Sequence, residues 1–132
     1  MEKEPILLLT HNGWGIELLK SIQVIAGKVE NVQEVALMPE DSLDNYLARV
    51  KEKMDGLNWH KKLLVITDLK GGTPCNVALR LSKDYELVII SGLCSSLLLE
   101  SVMNQEAGGF TDEIAHKIRQ DVVDTIQVLS VI

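Results

Sequence analysis

Leu63-Leu64-Val65-Ile66-Thr67-Asp68 is an apolar, β-branched run that passes directly into Leu69-Lys70-Gly71-Gly72-Thr73-Pro74-Cys75-Asn76. The first part reads as a buried strand over 63–68, and the second as a glycine turn opening a helix. Pro74 suits a first helical turn, where its missing N–H has no partner to lose, so a helix is predicted from near Pro74 to about Ser82. A strand feeding a helix through a short turn is half of a βαβ unit. The fold depends on whether the rest of the chain repeats that unit.

It does. Strands are predicted over 6–10, 34–38 and 87–91, with Glu34-Val35-Ala36-Leu37-Met38 the poorest in β-branched residues, and a fifth over 126–132. Ile16, Leu19, Ile22 and Ile25 with Ala26 recur on one helical face, and Gly27 is placed to end that helix. Asp41 or Ser42 can cap a second helix with Leu43, Leu47, Val50 and Met54 inward. A fourth helix fits Ser95 to Met103, and Thr111 caps a fifth with Ile114, Ile118 and Val122 inward. No repeat, low-complexity segment or linker interrupts the alternation. It predicts an α/β fold over 1–132: one domain with a mostly parallel, doubly wound sheet in the order 2-1-3-4 and helices on both faces.

Composition agrees with a packed domain. The chain has 132 residues, 46% of them hydrophobic and only 4% aromatic, so its core must come from aliphatic side chains. A net charge of −6 with no basic block argues against a nucleic-acid surface. Cys75 and Cys94 fit no metal or redox spacing, and no metal ligand set is expected. Residues 1–9 do not read as a signal peptide, and no run approaches the roughly 18 apolar residues of a membrane span. A cytoplasmic protein without direct membrane insertion is expected.

Two loops at the carboxyl edge of the predicted sheet carry unusual chemistry. Thr10-His11-Asn12-Gly13-Trp14-Gly15 follows strand one, and the stretch from Asp68 to Asn76 follows strand three. In an open α/β sheet these strands flank the topological switch point, where ligands bind. A carboxylate on one imidazole nitrogen fixes the tautomer and leaves the other nitrogen as a nucleophile. His11 and Asp68 are candidates for those roles. The Gly71-Gly72-Thr73 turn offers backbone N–H groups, a helix end and a hydroxyl, all suited to a phosphoryl group. Each feature alone has a plainer reading: a loop histidine, a capping aspartate, a turn. Their joint placement favours phosphoryl chemistry, which needs little beyond positioning and charge stabilisation.

These residues resemble the IIA component of the mannose/fructose/sorbose class of sugar phosphotransferase systems. Leu8-Leu9-Thr10-His11 matches the strand that ends at the family's phosphorylated histidine. Asp68 to Asn76 matches its second signature: Asp, two residues, Gly-Gly-Ser/Thr-Pro, one residue, Asn. The resemblance implies a phosphoryl carrier that takes phosphate from the histidine phosphocarrier HPr on His11 and passes it to a IIB component. Through IIB it would serve a membrane IIC/IID sugar transporter, with no cofactor. It implies that Asp68 orients His11, and that Gly71, Gly72 and Thr73 hold the phosphoryl group. It also implies a homodimer in which the C-terminal strand crosses to the partner's sheet edge and pairs antiparallel there.

Two positions depart from the family pattern. Gly92-Leu93-Cys94-Ser95-Ser96 has Cys and Ser where Asn and Pro are common, and Lys70 stands where an aromatic is frequent. Lys70 and Trp14 are candidate partner contacts, with a solvated lysine and a tryptophan packed under the first helix as the plainer readings. Alternatives from the same fold are a regulatory IIA-like domain and the phosphocarrier subunit of dihydroxyacetone kinase. The 132 residues carry no DNA-binding or ATPase segment, which weighs against the usual regulators. A flavodoxin-like binding domain would need a loop richer in Ser, Thr and Gly after strand one.

Overall fold

In a computed structural model that describes residues 3–130, four strands form a parallel sheet in the order β2-β1-β3-β4. The strands are β1 (Ile6–His11), β2 (Val32–Leu37), β3 (Leu63–Thr67) and β4 (Leu87–Ser91). The helices are α1 (Trp14–Ala26), α2 (Leu43–Asp55), α3 (Thr73–Leu81), α4 (Ser95–Met103) and α5 (Asp112–Val123). Side chains alternate across a strand, and both sides here are covered, so Ile6–Leu9 of β1 and Leu63–Ile66 of β3 are continuous apolar runs rather than apolar at every second residue. Ile6, Leu8, Leu64 and Ile66 pack with Ile22, Leu97, Leu98, Phe110 and Ile118 beneath α1, α4 and α5. Leu7, Leu9, Leu63 and Val65 pack with Tyr46, Val50, Met54, Val77 and Ala78 beneath α2 and α3.

Local signals set three of the helix ends. Ser42 accepts a hydrogen bond from the Asn45 amide, and Thr111 accepts one from Ile114, so both act as N-caps. Gly27 follows α1 with φ 79°, a backbone angle that ends a helix readily only at glycine. β2 begins at Val32, two residues before the predicted start, because Val32 and Gln33 pair with Ile6 and Leu7. Asp68 lies just beyond β3 rather than within it.

The predicted fifth strand is the one element that does not form over its described residues. Residues 126–130 adopt no regular structure, and Ile126, Val128 and Leu129 are exposed. Val131 and Ile132 lie outside the described residues. A strand at a sheet edge exists only where another strand lends it hydrogen bonds, and none among the described residues does so.

Phe110 anchors the edge of the sheet opposite the carboxyl ends. It is fully buried, and its carbonyl accepts from the Lys62 amide at the entrance to β3. Phe110→Ala is expected to cost about 3–5 kcal/mol through lost burial and an unfilled cavity. Thermal denaturation should show a melting temperature lower by about 10–20 °C. A shift of only a degree or two would mean that this face of the core repacks.

Candidate functional site

The chain leaves β1 toward β2 through α1 on one face, and leaves β3 toward β4 through α3 on the other. The switch point therefore falls between β1 and β3. The Leu9–Thr67 pair is the last in register between these strands, and beyond it their ends part. His11 closes β1 on the same side as Leu7 and Leu9, which is the side covered by α3. Asp68 follows β3 directly.

Asp68 takes over where the ladder stops. Its Oδ2 accepts from the His11 amide at 2.8 Å and from the Trp14 indole N–H at 3.1 Å. Both carboxylate oxygens lie 3.0 Å from His11 Nδ1. The Asp68 side chain is only 5% exposed, whereas that of His11 is 40% exposed. Burial pushes the Asp68 carboxyl up. The hydrogen bonds from the His11 amide, the Trp14 indole and the His11 ring, with the attraction of that ring, outweigh it and hold the group below its ordinary value.

A carboxyl held low in the folded state stabilises the fold once it is ionised. That contribution is complete above the unfolded value of about 3.9 and is lost as pH falls through the lower folded value. The melting-temperature advantage of the wild type over Asp68→Asn should thus persist from neutral pH to about pH 4 and shrink below it. An advantage that grows on acidification would contradict the sign.

His11 Nδ1 is engaged, so Nε2 is the ring nitrogen left open. It faces the start of α3. A Cβ added at Gly72 would sit 3.0 Å from His11 Cε1 and 3.5 Å from Nε2, so glycine is what lets the ring lie against this turn. Gly72 is the N-cap of α3 and offers no side chain to its first turn, which also lacks any acidic residue. The first-turn amides of Thr73 and Cys75 have no partner within the helix, and Pro74 carries none. Asn76 Nδ2 donates to the Gly71 carbonyl at 3.3 Å and bridges the turn. The site thus joins an oriented imidazole to a helix end without a side-chain cap.

The structure brings His11, Asp68 and Gly72 together, with Gly71 and Thr73 on either side of Gly72 in the chain. Trp14 stays partly open rather than packed away, and its indole donates to Asp68, a bond the sequence does not announce. Lys70 is exposed and enters no hydrogen bond or ion pair among the described residues. Cys75 is buried. Among the described residues no group of three or more His, Cys, Asp or Glu side chains is arranged to hold a metal ion.

The sequence reading missed Glu34. From β2 its Oε2 accepts from the Thr10 hydroxyl at 2.6 Å and the Gly15 amide at 2.7 Å, and its Oε1 from the Ile16 amide at 3.3 Å. The one available signal was a charged residue between Val32 and Ala36 on the face of β2 that turns toward α1.

A family model described as "PTS system fructose IIA component" matches residues 5–127 of this chain. The chain belongs to this family of phosphotransferase system IIA components. It is 30% identical over 111 residues to the mannose-specific EIIAB component of Escherichia coli (strain K12), covering 83% of this chain and 34% of that protein. The chain therefore spans about a third of the length of that relative. It is 24% identical over 119 residues to the sorbose-specific EIIA component of Lacticaseibacillus casei, covering 88% of this chain and 86% of that one. Among solved structures, a mannose/sorbose-specific IIA subunit from Enterococcus faecalis superposes with a TM-score of 0.86 at 27% identity. That match covers 99% of this chain and 98% of the other. The EIIA component from Streptococcus agalactiae gives 0.83 at 28% identity, covering 94% and 95%. The IIA family is one of phosphotransferase-type proteins of sugar transport. No helix among the described residues is long and apolar enough to cross a membrane.

Proposed function

We propose that this IIA component is a cytoplasmic phosphoryl carrier that accepts phosphate from HPr on His11 Nε2 and passes it to a IIB component. The observation that carries the reading is the His11–Asp68 pair: a carboxylate holds Nδ1 at 3.0 Å while Nε2 faces the uncapped start of α3. In the transfer, the Nε2 lone pair forms a bond to phosphorus as the phosphorus–nitrogen bond in phospho-HPr breaks, and the electron pair returns to the donor imidazole. The proton on His11 Nδ1 stays in place, hydrogen-bonded to Asp68, whose charge balances the cationic ring. The Thr73 and Cys75 amides, with the Thr73 hydroxyl, receive the phosphoryl oxygens. The same steps run in reverse toward IIB, which would pass the group on to sugar at a IIC/IID transporter. Exposed Leu69, Trp14 and Lys70 border His11 and supply a surface for the two protein partners.

The test is to incubate the protein with phosphoenolpyruvate, enzyme I and HPr and to measure intact mass. One acid-labile phosphoryl adduct, lost on addition of a IIB acceptor, is the expected result. No adduct, under conditions that label another IIA protein, would overturn the reading.

The working form is a homodimer in this proposal. A groove of about 510 Å³ runs along the open edge of β4, lined by residues from Leu87 to Ser91 with Leu79 and Ala115. The exposed apolar stretch at 126–130 suits such an edge when it comes from a second copy. Removing residues 126–132 should convert a dimer to a monomer in analytical ultracentrifugation. An unchanged sedimentation coefficient per chain would exclude this segment as the link.

A further inference from the structure

Two helices begin beside His11, and each brings a positive end and first-turn amides to the same sheet edge. α1 starts at Trp14 and α3 at Thr73. Left alone, both would draw an anion carried on His11 Nε2, and the two positions would compete. They are not equivalent. The α1 N-cap is Gly13, which offers no side chain, yet that helix end is occupied: Glu34 reaches across from β2 to the Gly15 and Ile16 amides. The approach is close: a Cβ at Gly15 would fall 2.3 Å from Glu34 Oε2, so any larger residue there would displace the carboxylate. α3 has neither a side-chain cap nor an acidic residue in its first turn.

Glu34 also grips the residue before the loop. The Thr10 hydroxyl, fully buried, donates to the same Oε2 that receives the Gly15 amide. One carboxylate therefore ties down both flanks of His11-Asn12-Gly13. Asn12 and Gly13 run through this loop with φ of 66° and 83°, a left-handed path that a non-glycine residue adopts reluctantly. Asp68 holds His11 and Trp14 from the other side.

We propose that Glu34 is a positioning residue that closes the α1 end to anions and stakes the His11 loop, so that a phosphoryl group is held at the α3 end alone. The role in phosphoryl transfer rests on the carrier reading above; the closure of α1 does not. The test uses inorganic phosphate, titrated into ¹⁵N-labelled, unphosphorylated full chain while amide resonances are followed. In the wild type, the Thr73 and Cys75 amides should shift and those of Gly15 and Ile16 should stay still. In Glu34→Ala the Gly15 and Ile16 amides should shift as well. Glu34→Gln keeps the shape and removes the charge. It should show a smaller version of the same new shifts, so a readout survives if the alanine variant does not fold. Phosphate shifts at Gly15 and Ile16 in the wild type, none at Thr73 and Cys75, or no new shifts in the folded variants would each overturn the proposal.

Labelling of Glu34→Gln by phospho-HPr should in addition be slower by about threefold to tenfold, with unchanged circular dichroism. Labelling at the wild-type rate would remove Glu34 from the transfer step. A wild type that takes no label at all refutes the carrier reading, whereas the phosphate titration needs no HPr and judges the α1 closure separately.

Discussion

His11→Ala is expected to abolish phosphoryl acceptance while leaving a folded protein. The imidazole is 40% exposed, so its removal opens no core cavity. Asp68 then loses its ring partner but keeps two donors, the backbone amide at position 11 and the Trp14 indole. Stability should fall by about 1 kcal/mol or less, the scale of one hydrogen bond. Labelling has no comparable fallback. His60 and His116 belong to other parts of the fold, and neither stands by the start of α3. Intact-mass spectrometry after incubation with phospho-HPr should therefore show no adduct, with circular dichroism unchanged. A persistent stoichiometric adduct would place the phosphoryl group elsewhere.

Asp68→Asn should retain the fold and slow phosphoryl transfer by about 100-fold, the range in which a lost charge at a developing cation is felt. The geometry fixes how the amide must sit. Oδ2 receives two N–H donors, from the His11 backbone and from Trp14, so the amide oxygen has to take that place. The –NH2 group then occupies the Oδ1 position, 3.0 Å from His11 Nδ1, and donates to it. Nδ1 becomes the acceptor, the ring proton moves to Nε2, and the nitrogen facing α3 no longer has a free lone pair. Loss of the negative charge removes the balance for a phosphorylated, cationic ring as well. Stopped-flow or quench measurement of single-turnover transfer from phospho-HPr reads this directly. A rate within about twofold of wild type, below 0.5 kcal/mol in barrier, would take Asp68 out of the mechanism.

How much of this was legible in the sequence depended on how local the physics was. The unit from Leu63 to Leu81 carries its own instructions: β-branched residues, a double glycine, then Pro74 in the first turn of α3. α4 spans Ser95–Met103 as predicted, and Thr111 caps α5 through its own hydroxyl. His11 and Asp68 could be assigned to one crevice because strand order follows from βα alternation, and the sheet has that order. What the sequence did not disclose were partnerships set by register. Glu34 meets Gly15 because β2 lies parallel to β1 with Leu8 opposite Glu34, and nothing within β2 announces it.

His60 shows the same limit. By exposure it is a surface histidine, its side chain 78% open to solvent. Yet its amide and ring Nδ1 both engage the buried Glu4 carboxylate, at 2.7 and 3.0 Å. Fifty-six positions separate the pair along the chain. The C-terminal segment 126–132 was legible only in part: its apolar character is plain, but a strand edge needs a partner.

The central claim is that the phosphoryl group travels on one nitrogen of one histidine. The direct measurement is a phosphorus–nitrogen correlation spectrum of the ¹⁵N-histidine-labelled protein, recorded after phosphorylation by HPr. Phosphorus coupled to His11 Nε2, with Nδ1 still protonated, is the predicted result. Coupling to Nδ1, or to a nitrogen of any other histidine, would contradict it.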